Sequence, residues 1–329
     1  MGATFVMKKL EHSSRAVISG FSLFHREPSA YEGQIVRQGK FQSPFLKDLS
    51  GKIFKENEFS VRETENAVSD HSVRKVEYLA YRAIADASLT DIDSSRTDII
   101  FGGRSGLVSR GIKKILELNR EDLIHNYNHS AAAVISDMLG TAGYVYTSPV
   151  TSILHSLGTS FQRISKGRTD LVLAGETNLS PDSVVTPVGG EDILARILHG
   201  SSQKDFSFVR NHLHDSGVLF IIEDLNLARL RGREPYAEIE DYEEYYSYEI
   251  DNILHNGGHA KNLANQVMLA LLSLVMNQSP KNLCSDDCFI EYIKNIEYEK
   301  RGNKISRVSV GGLTGTGLKG RLTLKRFQP

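Results

Sequence analysis

Two cysteines, eleven histidines and two glycine-rich turns are the parts of this 329-residue chain whose types and spacing invite chemistry. Cys284 and Cys288 stand four apart with Asp286 and Asp287 between them, and no second Cys or His pair follows at zinc spacing. They read as ordinary thiols, too few for a disulfide framework. His212, His214, His255 and His259 form neither H-E-x-x-H nor a three-ligand set, so no metal site is expected. Gly315-Thr-Gly-Leu-Lys-Gly320 matches G-x-G-x-x-G letter for letter. That fingerprint works only when a helix N-terminus follows and points at a pyrophosphate, with an acidic residue about 20 positions on. Here Arg-Leu-Thr-Leu-Lys follows and the chain stops at Pro329, so a turn between two antiparallel strands is expected and no dinucleotide. Gly102-Gly-Arg-Ser-Gly106 lacks the G-x-S-x-G spacing of a nucleophile elbow, because Leu107 stands two beyond Ser105.

The elements that must position any such groups are legible from periodicity. Arg15 to Phe24, Asp98 to Gly103, Tyr144 to Thr147, Asp170 to Gly175 and Gly217 to Glu223 are apolar or β-branched runs of strand length. Between them, Ser72 to Ala87 repeats its apolar residues at three and four, the helical period. Asn128 to Leu139 is a small-residue helix around Ala131, Ala132 and Ala133, and Ser152 to Ser165 is a helix with Leu154, Leu157, Phe161 and Ile164 on one side. The alternation predicts α/β with a sheet covered on both faces. A short helix over Leu225 to Arg231 and a strand from Tyr236 follow. Glu238 to Glu249, acidic and rich in tyrosine, reads as a solvated surface segment. Asn262 to Met276 is a helix, and Ile305 to Val310 and Arg321 to Lys325 are the final strands.

The charge arithmetic, 39 basic against 40 acidic residues, leaves −1 and no excess for a polyanion, so no nucleic-acid partner is expected. The longest apolar run, Val267 to Met276, is about half of what a bilayer span needs. The N-terminus has its lysines after the apolar residues, unlike a secretion signal. A cytoplasmic chain is expected.

Three segments taken in order resemble the β-ketoacyl synthases of the thiolase superfamily. Asp98 to Gly106 resembles the family's strand and glycine turn. Thr147-Ser-Pro-Val-Thr-Ser-Ile-Leu-His-Ser-Leu-Gly158, followed by Ile164 to Glu176, is similar to its nucleophile segment T-A-C-A-S-S-x-H-A-x-G and the strand after it. Ser216 to Leu225 and Ala228 to Ile239 resemble G-A-G-V-L-V-L-E-x-L and A-x-x-R-G-A-x-I-Y-A-E. The resemblance implies a thiolase-like layered α-β-α-β-α fold with an abbreviated C-terminal half. Residues 1–235 would form the first half and 236–329 the shortened second, in one compact unit.

The departures bear on function. Alignment on His155 and Gly158 puts Val150 where the family has its nucleophilic cysteine, and a valine cannot accept an acyl chain as a thioester. The family's H-G-T-x-T segment has no counterpart between Ile239 and His259. Its lysine falls near Leu254, and its second catalytic histidine corresponds to His259 in an altered frame. Leu313-Thr-Gly-Thr-Gly317 stands for the gating F-G-F-G-G turn, without aromatics.

The resemblance therefore implies no catalytic residue, the degenerate positions being Val150, Leu254 and His259. It implies no cofactor. The chain resembles a chain-length factor, the partner of an active ketosynthase in type II polyketide and aryl-polyene systems that draw substrate from an acyl carrier protein. Family members pair through the strand entering the nucleophile segment, here about Gly143 to Pro149. Tyr144, Tyr146, Ser148, Pro149, Val150, Thr151 and Leu313 are the tunnel or interface candidates. A decarboxylase or acyltransferase using His259, and a carrier-protein docking scaffold, remain as alternatives.

Overall fold

A computed structural model describes residues 14–25, 53–54, 71–102, 130–148, 152–178, 216–246, 259–279, 296–315 and 318–328. The strands are β1 (Ala16–His25), β2 (Ile53–Phe54), β3 (Thr97–Gly102), β4 (Val145–Ser148), β5 (Leu171–Asn178), β6 (Ser216–Asp224), β7 (Ala237–Tyr246), β8 (Ile296–Arg301), β9 (Lys304–Gly315) and β10 (Leu318–Arg326). The helices are α1 (His71–Asp86), α2 (Ser130–Leu139), α3 (Ile153–Ser165), α4 (Leu225–Leu230) and α5 (His259–Met276).

The strands join one sheet in the order β4-β3-β5-β6-β1-β7-β10-β9-β8, with β2 beside β1. The first five follow from the apolar runs of the sequence. β3 pairs in parallel with β4 and β5, which helices must connect, and β6 runs antiparallel to β5 and β1. Along β5, Val172 and Ala174 face one way and Leu171 and Leu173 the other, all buried. Both faces are covered, which is why the strand reads as an unbroken apolar run.

One face carries α1 and α2, through Val76, Leu79, Ala83, Ala132 and Ile135. The other carries α3 and α5, whose Leu154, Leu157, Leu271 and Leu274 form a single core with the inner face of β7, β9 and β10. Helix α3 touches both stretches of sheet, so helices and sheet alternate in the layered thiolase-like manner that the motifs implied.

The segment from Glu238 onward corrects a sequence expectation. It is solvated on one side only: as β7 it lies between β1 and β10 inside the sheet, with Asp241, Glu243, Glu244 and Tyr245 exposed. Ile239 and Tyr242 point into the core. The acidic residues Glu240, Asp241 and Glu243 line the opposite, open face together with Arg307, Arg321, Glu297 and Glu299. Pairs such as Arg307 with Glu240 and Arg321 with Glu297 cross between strands there. No helix among the described residues covers this face. Its charged rows suit a face turned to water, where solvent and salt screen such pairs.

Two further differences have physical causes. β8, Ile-Glu-Tyr-Glu-Lys-Arg, carries too little apolar signal to read as a strand, yet it closes a hairpin on β9 through Gly302. β9 and β10, on either side of the glycine-rich match at the tail, pair antiparallel as expected, and among the described residues a strand, not a helix, follows it. Residues 103–106, 212, 214, 255, 284 and 288, raised by the sequence, lie outside the described residues.

Candidate functional site

The start of α3 is the position to which the motifs point. Ser152 is its N-cap residue in extended conformation, and it is buried. Ser152, Ser156 and Ser160, four apart, are all buried. Ser156 Oγ donates to the Gly175 carbonyl at 3.2 Å and Ser160 Oγ back to the Ser156 carbonyl at 2.6 Å. The helix ends in a glycine cap. Gly167, at φ 63°, donates its N–H to the Ile164 carbonyl, while the N–H of Arg168 reaches the Arg163 carbonyl.

The backbone donors at the other end are also engaged. Ser152 N–H donates to the Thr314 carbonyl at 2.9 Å, joining α3 to β9. Ile153 N–H donates to Glu176 Oε2 at 2.8 Å, and Glu176 is only 2% exposed. Gly158 faces the ring of Tyr242: a Cβ at this glycine would lie 2.3 Å from the ring carbons. The glycine of the motif is thus the place where the tyrosine of the acidic strand enters.

Beside it, His155 Nδ1 lies 3.2 Å from Glu244 Oε1, and Thr314 Oγ1 donates to the same carboxylate oxygen. Burial pushes the Glu244 carboxyl up, but the hydrogen bonds from Thr314 and His155 more than reverse this and hold it below the usual carboxylate range. Burial, with the Glu244 charge close by, drives the Tyr242 phenol well above its ordinary value, so it is a neutral hydroxyl. The cluster joins α3 to β7 and β9 by polar contacts of a kind that can orient groups. It contains no thiol.

Outward from the site, β4 pairs with β3 alone among the described residues. Tyr144 and Tyr146 stack with ring centroids 6.0 Å apart and planes 8° from parallel. The Arg163 guanidinium sits 4.4 Å over the Tyr144 ring, and His155 tilts against Tyr146. Asp98 anchors this edge: it takes the Tyr144 N–H at 2.7 Å and Arg163 Nε at 2.5 Å. Tyr144 and Val145 remain 42% and 40% exposed.

Of the sequence candidates, Tyr144 and Tyr146 are brought together on this edge and Ser148 closes β4. Leu313 lies in β9 beside Thr314, and His259 is the first residue of α5. Pro149, Val150, Thr151 and Leu254 lie outside the described residues. Sequence reasoning missed Glu176 and Glu244 as parts of this cluster. Glu176 ended a quoted motif without a stated role, and Glu244 stood in the misread acidic segment. A carboxylate closing an otherwise apolar buried strand was the available signal. Among the described residues no group of three or more His, Cys, Asp or Glu is placed to hold a metal. Nor is any helix there long and apolar enough to cross a membrane.

No protein-family model matches the chain. It is 26% identical over 206 residues to a protein of Streptomyces virginiae named polyketide beta-ketoacyl synthase 1, covering 54% of this chain and 49% of that one. A protein of the same name from Streptomyces halstedii is 29% identical over 119 residues, 34% of this chain and 28% of the relative. The chain thus spans half or less of the length of these curated relatives. Among solved structures, the fold is similar to that of a type II polyketide synthase acyl-carrier protein in complex with its ketosynthase bound to the hexaketide. There the TM-score is 0.55 at 11% identity, covering 96% of this chain and all of that one. The ishigamide ketosynthase/chain length factor matches equally, at 0.55, 13% identity and the same coverage. A beta-ketoacyl synthase from Burkholderia phymatum gives 0.51 at 14%, again over 96% of this chain and 100% of that one. Strand order, the layered helices and named relatives agree with the motifs: the chain is similar in sequence to β-ketoacyl synthases and has a thiolase-like fold.

Proposed function

We propose that this chain is a non-catalytic, chain-length-factor-like subunit. It pairs with an active ketosynthase in carrier-protein-dependent elongation of a polyketide or aryl-polyene chain and helps to shape the acyl tunnel. The observation that carries the reading is Val150, which stands in the nucleophile motif two residues before the N-cap of α3 and offers no atom that could hold a thioester.

The two ends of the sheet support the partner. β8, at one end, is Ile-Glu-Tyr-Glu-Lys-Arg, a charged edge of the kind that resists strand addition. β4, at the other, is Val-Tyr-Thr-Ser, uncharged, with Val145 exposed and two stacked tyrosines beside it. An edge left in that state suits a partner strand. Such a partner would supply the active cysteine, and the carrier protein would deliver substrate to it.

Co-expression with a ketosynthase that keeps its Cys-His-His set, encoded beside this chain, tests the reading. A 1:1 complex is expected, with elongation lost when this chain is omitted. Val145→Lys should abolish the complex while leaving the circular dichroism spectrum unchanged. Acylation of this polypeptide by an acyl carrier protein, seen as an intact-mass increase, would refute the non-catalytic role.

A further inference from the structure

A helix start gathers unpaired N–H groups and partial positive charge, and it is a natural place to hold an anion. In α3 that place is already filled from within. Glu176, almost wholly buried on β5, puts Oε2 2.8 Å from the N–H of Ile153, the first residue of the helix. The N–H before it, of Ser152, is taken by the Thr314 carbonyl. The Ser152 side chain gives the second observation. An N-cap serine ordinarily accepts from an N–H of the first turn. Here the hydroxyl makes no cap bond and has no partner, although Ser152 is only 3% exposed. A buried hydroxyl without a partner thus directly precedes the N–H that the carboxylate holds.

We infer that Glu176 is a resident anion that occupies the start of α3, so that a thiolate placed at the helix start is disfavoured rather than stabilised. A carboxylate in place disfavours a second negative charge beside it. The inference rests on the proposed non-catalytic role for what the block prevents. It adds a second lock, independent of the missing sulfur.

The test introduces a reporter thiol at the helix start. Ser152→Cys and Ser152→Cys/Glu176→Gln are compared in a Cys284→Ser/Cys288→Ser background, and the thiolate is followed by its ultraviolet absorbance against pH. Glutamine keeps an oxygen that accepts from Ile153 N–H but removes the charge. The apparent thiol pKa should fall by about one unit or more on going to glutamine, a roughly tenfold rise in thiolate fraction at a fixed pH below both values. Equal titration curves would overturn the inference. Should either variant fail to fold, the carboxyl carbon shift of Glu176 in the unaltered protein decides. An ionised signal at neutral pH supports the resident anion, and a protonated one overturns it. A null result here with the ketosynthase complex intact defeats the Glu176 block alone. A shifted thiol without any complex defeats the partner reading alone.

Discussion

Gly158→Ala should be among the most damaging small substitutions in this chain, because of where Tyr242 lies. The added Cβ would sit 2.3 Å from two ring carbons and 2.4 Å from a third. Ordinary carbon contacts are about 3.5–4.0 Å, so one group must move by more than ~1 Å. The ring cannot easily retreat. Gly320 of β10 lies behind it, close enough that a Cβ there would be 3.3 Å from Tyr242 Cε2 and Oη. Overpacking of a closed core costs about 1–3 kcal/mol, and the confinement argues for the upper end, ~3 kcal/mol. Urea denaturation followed by circular dichroism measures this as a lower midpoint with an unchanged slope. A double-mutant cycle isolates the cause. Tyr242→Ala alone should cost about 3–5 kcal/mol by leaving a cavity, and Gly158→Ala added to it should cost almost nothing more. If the two losses add to within ~0.5 kcal/mol, the ring does not oppose the glycine and the account of this motif position is wrong.

Two further outcomes are expected. Arg163→Met should destabilise the protein by about 2–3 kcal/mol, because it strands the Asp98 carboxylate, whose side chain is 4% exposed. Asp98→Asn in the same chain should recover part of the loss, and a urea midpoint for the double variant no better than for Arg163→Met would exclude the pairing. For Glu238, burial raises the carboxyl but hydrogen bonds from Arg15 and Lys325 outweigh it, leaving the folded-state pKa below the ordinary value. Its contribution is therefore full above the unfolded-state pKa of about 4.3 and is lost as pH falls through the depressed value. The melting temperature of Glu238→Gln should lie below that of the unaltered protein at neutral pH, with the gap closing in acid. A constant gap down to about pH 3 would contradict this.

Local sequence determined the first half of the sheet, its covering helices and the motif that ends in Gly158, because each rests on a period that a helix or a two-face-buried strand imposes on its own residues. Val150 likewise needs no coordinates: the absence of sulfur is a property of the letter. The acidic strand is different. Glu240, Asp241 and Glu243 face one side of β7 while Ile239 and Tyr242 face the other, and a bulge opposite Thr323 and Leu324 of β10 breaks the alternation that would have announced a strand. Only pairing with β1 and β10 makes that segment a strand. Glu176 and Glu244 were out of reach for a related reason. Their partners Ile153, His155 and Thr314 are between 23 and 89 residues away in the chain, and a contact across such a separation is decided by how helix and sheet stack, which no local pattern encodes.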